Sequence, residues 1–142
     1  MGWVTSNILQ RGPQLAFQEV LRPELDSYFG SCFERLCREA LPRLYEREKL
    51  TAAFEVGEYW DKTTQIDVVG LREDRWTDLG ECKWGAVKSV KELEAEISDK
   101  MVNFPNRLDA TIRRRVFTRT PVVPSRRRDS SITWHSLRDL YE

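Results

Sequence analysis

No run of apolar residues in this chain of 142 approaches the roughly 20 needed to span a bilayer, and the N-terminus lacks the basic-then-apolar pattern of a secretory signal. Together these absences predict a cytoplasmic protein with no membrane association. Gly2 with Ser6 formally fits an acylation pattern, but no polybasic segment supports it. Cysteine is scarce: Cys32, Cys37 and Cys82 offer neither an even count nor a CxxC pairing, which excludes a disulfide framework and a thiolate zinc site. The single histidine, His135, leaves a thiol hydrolase without its base and is expected at the start of a terminal helix in a surface role. There is no GxxxxGK[ST] phosphate loop, no internal repeat and no low-complexity tract. The formal net charge is zero, so the surface as a whole is not built to cling to nucleic acid.

What is present is the composition of an ordinary soluble domain, 40% apolar and 32% charged. Residues 1–22 read as an irregular lead-in or linker remnant, and 23–142 as the domain proper. From Pro23 to about Lys49, Leu25, Phe29, Phe33, Leu36, Cys37, Ala40 and Leu44 recur at helical spacing, with Pro42 expected to kink or end the helix near Leu41. Three strand-like runs follow, at about Ala52–Tyr59, Thr64–Leu71 and Trp76–Trp84. Ser89, with Glu92 three residues on, caps a second helix running to Asn103 before Pro105. Further strands are expected at Arg114–Thr120 and Ser131–Trp134, and a short helix at Leu137–Tyr141. Helix, three strands, helix, strand predicts an α/β fold, a three-layer α/β/α sandwich with a mixed sheet, in which the third strand lies near the middle.

One charged residue sits where a buried strand should be apolar: Asp67, inside Ile66-Asp67-Val68-Val69. Glu81 and Lys83, two apart on the next strand, share a face. A hairpin centred on Asp74 sets Asp67 opposite Glu81 and Gln65 opposite Lys83. Cross-strand neighbours have Cβ atoms about 4.5–5.5 Å apart, so two carboxylates there repel unless a cation lies between them. A hard divalent ion, magnesium or manganese, suits oxygen ligands of this kind, with Lys83 nearby as a point charge. The bland alternative is a solvated strand face with Lys83 paired to Glu81. Against it stand the apolar setting of Asp67 and the fact that Glu81-Cys82-Lys83 is the only acid-x-Lys triplet in the chain.

Asp67, then thirteen residues, then Glu81-Cys82-Lys83, preceded by a helix bearing Glu34, resembles the PD-(D/E)XK nuclease superfamily over roughly Asp26 to Thr120. The motif's proline is absent, Ile66 standing in its place, a departure common in that superfamily. More narrowly, Tyr28-Phe29-Gly30, Phe33-Glu34, the Asp67 strand and Gly80-Glu81-Cys82-Lys83-Trp84 resemble the C-terminal domain of unknown function of archaeal-type DEXX-box ATPases. The resemblance implies a restriction-endonuclease-like αβββαβ core. It implies that Asp67, Glu81 and the Cys82 backbone carbonyl ligate the metal, that Lys83 is the catalytic lysine, that Glu34 assists the metal site, and that Gln65 touches the water or Lys83. It also implies phosphodiester hydrolysis on nucleic acid, DNA before RNA, beside an ATPase in cis or trans, with a homodimer as one form of assembly. The chain is then a fragment of a longer protein or a stand-alone relative. The alternative function is a catalytically silent, nuclease-like module that binds nucleic acid or protein for an ATPase.

Seven arginines and no acidic residue lie between Arg113 and Arg128. Arg113, Arg114, Arg115, Arg126, Arg127 and Arg128 are therefore candidate phosphate-backbone contacts, with a solvated loop tip the equal alternative for the last three. Trp60 and Trp84 are expected to pack rather than stack on bases. Cys82 should point to the opposite sheet face, buried. Lys88 to Lys100 reads as the wet face of the second helix, Glu92 and Glu96 pairing with Lys88 and Lys100.

Overall fold

A computed structural model describes residues 22–122 and 132–141. Within them the chain is a mixed α/β structure of two helices and one five-stranded sheet. Helix α1 spans Arg22–Arg47 and is followed by β1 (Phe54–Trp60), β2 (Gln65–Arg72) and β3 (Trp76–Lys83). Helix α2 (Val90–Val102), β4 (Thr111–Thr118) and β5 (Ile132–Ser136) complete the order. The strands lie in the order β1-β2-β3-β4-β5, so β3 is central, as expected. β1, β2 and β3 pair antiparallel, whereas β3, β4 and β5 pair parallel. The parallel step from β3 to β4 is the one α2 bridges, because parallel neighbours need a crossover connection.

Helix α1 runs unbroken through Pro42, so of the kink or end expected near Leu41 the end does not occur. Leu41, Leu44 and Tyr45, on either side of the proline, are all buried, and their packing outweighs the one lost backbone hydrogen bond. The helix stops where Lys49 takes the left-handed conformation (φ 61°), the Lys49 N–H donating to the Glu46 carbonyl and the Leu50 N–H to that of Tyr45. That two-bond pattern closes a helix even without glycine. Helix α2 begins as read: the Glu92 N–H donates to Ser89 Oγ at 3.3 Å. Residues 137–141 form hydrogen-bonded turns rather than the expected short helix. His135 lies within β5, 9% exposed, and not at a helix start on the surface.

Two apolar clusters hold the elements together. One joins Phe33, Cys37, Leu41, Leu44 and Tyr45 of α1 to Val68 and Phe117. The other joins Leu93, Ile97 and Met101 of α2 to Ile66, Val69, Leu79 and Val116. Neighbours such as Val116 and Phe117 go to different clusters, as strand alternation requires. Ile66 and Val68 do so as well, although residues two apart on a regular strand share a face. The register explains the exception: Gly57 pairs with Val69 but Tyr59 with Ile66, so Asp67 and Val68 together oppose Glu58. β2 carries a bulge at Asp67, and a bulge bends the strand and re-aims its side chains.

Candidate metal and catalytic site

The bulge places Asp67 where β2 and β3 part. Their pairing runs from Leu71–Thr77 to Val68–Gly80, the register a hairpin centred on Asp74 requires. Beyond Gly80 β3 pairs with β4, so Asp67 and Glu81, expected to face each other across the ladder, lie just past its end. The Asp67 side chain bridges the opening: the Cys82 N–H donates to Asp67 Oδ2 at 2.9 Å. The extra residue of a bulge leaves backbone groups without ladder partners. Here Arg38, one turn after Glu34 on α1, donates from Nη1 to the Asp67 carbonyl at 3.0 Å and to Glu58 Oε2 at 3.3 Å. Gly80 keeps the ladder tight beside the site, since a Cβ there would sit 2.9 Å from both Val68 and Phe117.

Asp67 and Glu81 are 4% and 6% exposed, so both carboxylates are withdrawn from bulk water. Burial and the charge of Asp67 push the Glu81 carboxyl up to about 7. Burial, then Asp67 again, raises the Glu34 carboxyl on the half-buried face of α1. The Asp67 charge on β2 thus raises the carboxyls of both Glu81 on β3 and Glu34 on α1. A cation offsets that charge. Lys100 of α2 supplies one, its Nζ lying 2.9 Å from Glu81 Oε2. Burial opposes the ammonium charge, but the bond to Glu81 and the charges of Asp67 and Glu96 raise its pKa above the usual lysine value.

Lys83 shares the Glu81 face and reaches Glu96 of α2 at 3.4 Å, with a third of its side chain exposed. Gln65 is exposed at the start of β2, where it pairs with Trp60 of β1; the β2–β3 ladder ends before it would meet Lys83. Cys82 turns its side chain toward the α1 cluster, and its thiol is raised by a bond to Cys37 and by burial.

The basic stretch divides. Arg115 is wholly buried and corrects the phosphate-contact reading for that residue: its guanidinium binds Asp78 (2.8 Å), Glu48 (2.6 Å) and the His135 ring (3.1 Å). Arg113 binds Glu48 and Thr133, and Arg114 reaches Ser98 Oγ at 3.2 Å. Arg126, Arg127 and Arg128 lie outside the described residues. Trp84 packs against Phe29 and Phe33 with Arg119 over its ring, whereas Trp60 is 68% exposed, against the expectation of packing.

Lys100 and Arg38 were not among the residues expected at the site. Its spacing places Lys100 on the wet face of α2 beside Glu96 and Glu92, yet it reaches Glu81. The available signal was its place three residues after Ile97, on the margin of the core stripe. For Arg38 the signal was its spacing of four from Glu34.

The fold and site define a mixed α/β domain with a buried carboxylate pair on the two strands that meet at the sheet's centre. The chain belongs to the DUF234 family, described as archaeal and bacterial proteins of unknown function, whose sequence profile matches residues 4–96. The match takes in α1, β1, β2, β3 and the first half of α2, hence Glu34, Asp67, Glu81 and Lys83. No curated protein and no solved structure matches the chain. No helix among the described residues is long and apolar enough to cross a membrane.

Proposed function

We propose that this chain is a metal-dependent nuclease-type domain of the PD-(D/E)XK kind, built as a three-layer αβββαβ sandwich and hydrolysing nucleic-acid phosphodiester bonds. The observation that carries the reading is the buried pair, Asp67 and Glu81, on strands that diverge at that point, with Lys83 two residues beyond Glu81. Among the described residues no three His, Cys, Asp or Glu side chains form a ready-made cage. The donors suit magnesium or manganese nonetheless, because such ions are commonly held by one or two carboxylates, with water and substrate phosphate completing the shell. Asp67 and Glu81 are the side-chain ligands, and the Cys82 carbonyl a third donor.

A bound divalent ion supplies the lowered pKa of a ligated water and the charge that offsets the phosphate. The protein's own groups do the rest. The Cys82 N–H fixes the rotamer of Asp67, Arg38 holds the bulge that aims it, and Lys83, free to exchange Glu96 for a phosphate oxygen, stabilises developing charge. Glu34 adds a carboxylate on the α1 side. A DEXX-box ATPase is the proposed partner and DNA the first substrate, on the sequence resemblance.

The test is incubation with plasmid, linear and single-stranded DNA and with RNA, in magnesium or manganese. Wild type is compared with Asp67→Asn and Lys83→Ala. Cleavage by wild type that falls at least about a hundredfold in each variant is expected, a loss on the scale of a removed catalytic group. Cleavage equal in all three removes the site. Metal binding without cleavage of any substrate favours the silent binding module.

A further inference from the structure

We propose that Lys100 is a resident counter-cation of the carboxylate pair, that its ion pair with Glu81 and a bound divalent metal are mutually exclusive, and that metal loading passes Lys100 to Glu96. The inference rests on the metal-binding reading above and adds a residue that the family match, ending at Glu96, does not reach.

The geometry is specific. Lys100 Nζ takes one oxygen of Glu81 at 2.9 Å, and the Glu81 side chain is only 8% exposed. The ammonium therefore fills a large part of the approach to a carboxylate that the metal must also use. Two cations on one buried carboxylate repel each other strongly where solvent screening is weak. Lys100 can leave. Its backbone is fixed by Ile97 and Met101 in the core, but its four-carbon stem is flexible and its side chain 26% exposed. A second acceptor waits one helical turn back: Glu96, 61% exposed, at the spacing where helix side chains meet. Glu96 already carries Lys83 at 3.4 Å, so the arrival of Lys100 would also free Lys83 toward a substrate phosphate. Without metal, Lys100 offsets the buried charge of Glu81. With metal, it is surplus there.

The experiment measures manganese affinity by calorimetry, and thermal unfolding in EDTA and in saturating manganese, on wild type, Lys100→Met and Lys100→Arg. Lys100→Met should bind manganese about threefold to tenfold more tightly, having lost the competing charge. It should unfold at a lower temperature than wild type in EDTA, and the gap should narrow in manganese. Lys100→Arg, still charged, should keep an affinity near that of wild type. In wild-type protein carrying 15N-lysine, the protected Lys100 ammonium resonance should shift or vanish on adding magnesium, a result that needs no variant to fold. Equal or weaker manganese binding by Lys100→Met, tightening by Lys100→Arg as well, or an unmoved resonance in metal-saturated protein overturns the exchange while leaving the metal site standing. A folded wild type that binds neither metal overturns both.

Discussion

The backbone N–H of Cys82 donates to Asp67 Oδ2 at 2.9 Å, a side chain standing in for a ladder acceptor at the point where β2 and β3 separate. Asp67 is therefore structural as well as a proposed metal ligand, and the two roles can be divided by substitution. Asparagine retains an oxygen for the Cys82 N–H but has no charge, whereas alanine has neither. Asp67→Asn should keep the wild-type unfolding temperature within a few degrees while losing at least about tenfold in manganese affinity. Asp67→Ala should in addition lose about 1–3 kcal/mol in urea unfolding, because a buried donor is left without a partner.

Arg38 is expected to behave as a positioning residue. Arg38→Met retains the stem that packs along α1 but leaves the Asp67 carbonyl without its donor. Metal affinity should fall about threefold to thirtyfold, with overall stability reduced by about 1–2 kcal/mol. Amide exchange should quicken at Ile66–Val68 more than in β4; uniform quickening would mean that Arg38 does not act through the bulge.

Asp78 and Arg115 form the best-buried ion pair among the described residues, 1% and 0% exposed, with Tyr45, Arg72 and Glu48 completing the network. Removing one partner strands a buried charge. Asp78→Asn or Arg115→Met should each cost about 3–5 kcal/mol in denaturant unfolding, and the double variant less than the sum of the two. Additive losses would indicate that the pair is not coupled.

His135 sets an acid limit to stability. Burial, reinforced by the Arg115 charge, lowers its pKa from 6.5 to about 4, so the fold favours the neutral ring while the unfolded chain accepts a proton near 6.5. The unfolded state binds more protons between these values. Stability from this group is therefore complete above about pH 6.5, declines as pH falls toward 4, and is level below, a total of about 3 kcal/mol. Urea unfolding at pH 7.5 and 4.5 should show a steeper loss in wild type than in His135→Gln. Parallel curves would mean that the ring is protonated in the fold.

Much of the architecture could be read from residue spacing. Apolar spacing of three to four marked both helices, because an amphipathic face must repeat at the helical pitch, and short strand-like runs between polar breaks marked the five strands. The register between β2 and β3 followed from a turn centred on Asp74. The helix that continues past Pro42 and the terminal helix that does not form each have a local cause. Pro42 costs one hydrogen bond that the packing of Leu41, Leu44 and Tyr45 outweighs. The Leu137–Tyr141 segment repeats its i+3 bonds without reaching helical length.

The sequence by itself singled out Asp67, Glu81 and Lys83 as candidates, since an acid in an apolar strand and a lone acid-x-Lys triplet are visible without coordinates. Only the tertiary structure decided how they are held. The bulge at Asp67, the Arg38 bond to its carbonyl, the burial of Arg115 and the reach of Lys100 to Glu81 all join residues from different elements. A lysine on a helix margin looks the same in sequence whether it meets water or a carboxylate. The difference lies in which strand passes beneath it, and that is fixed by packing across the whole sheet.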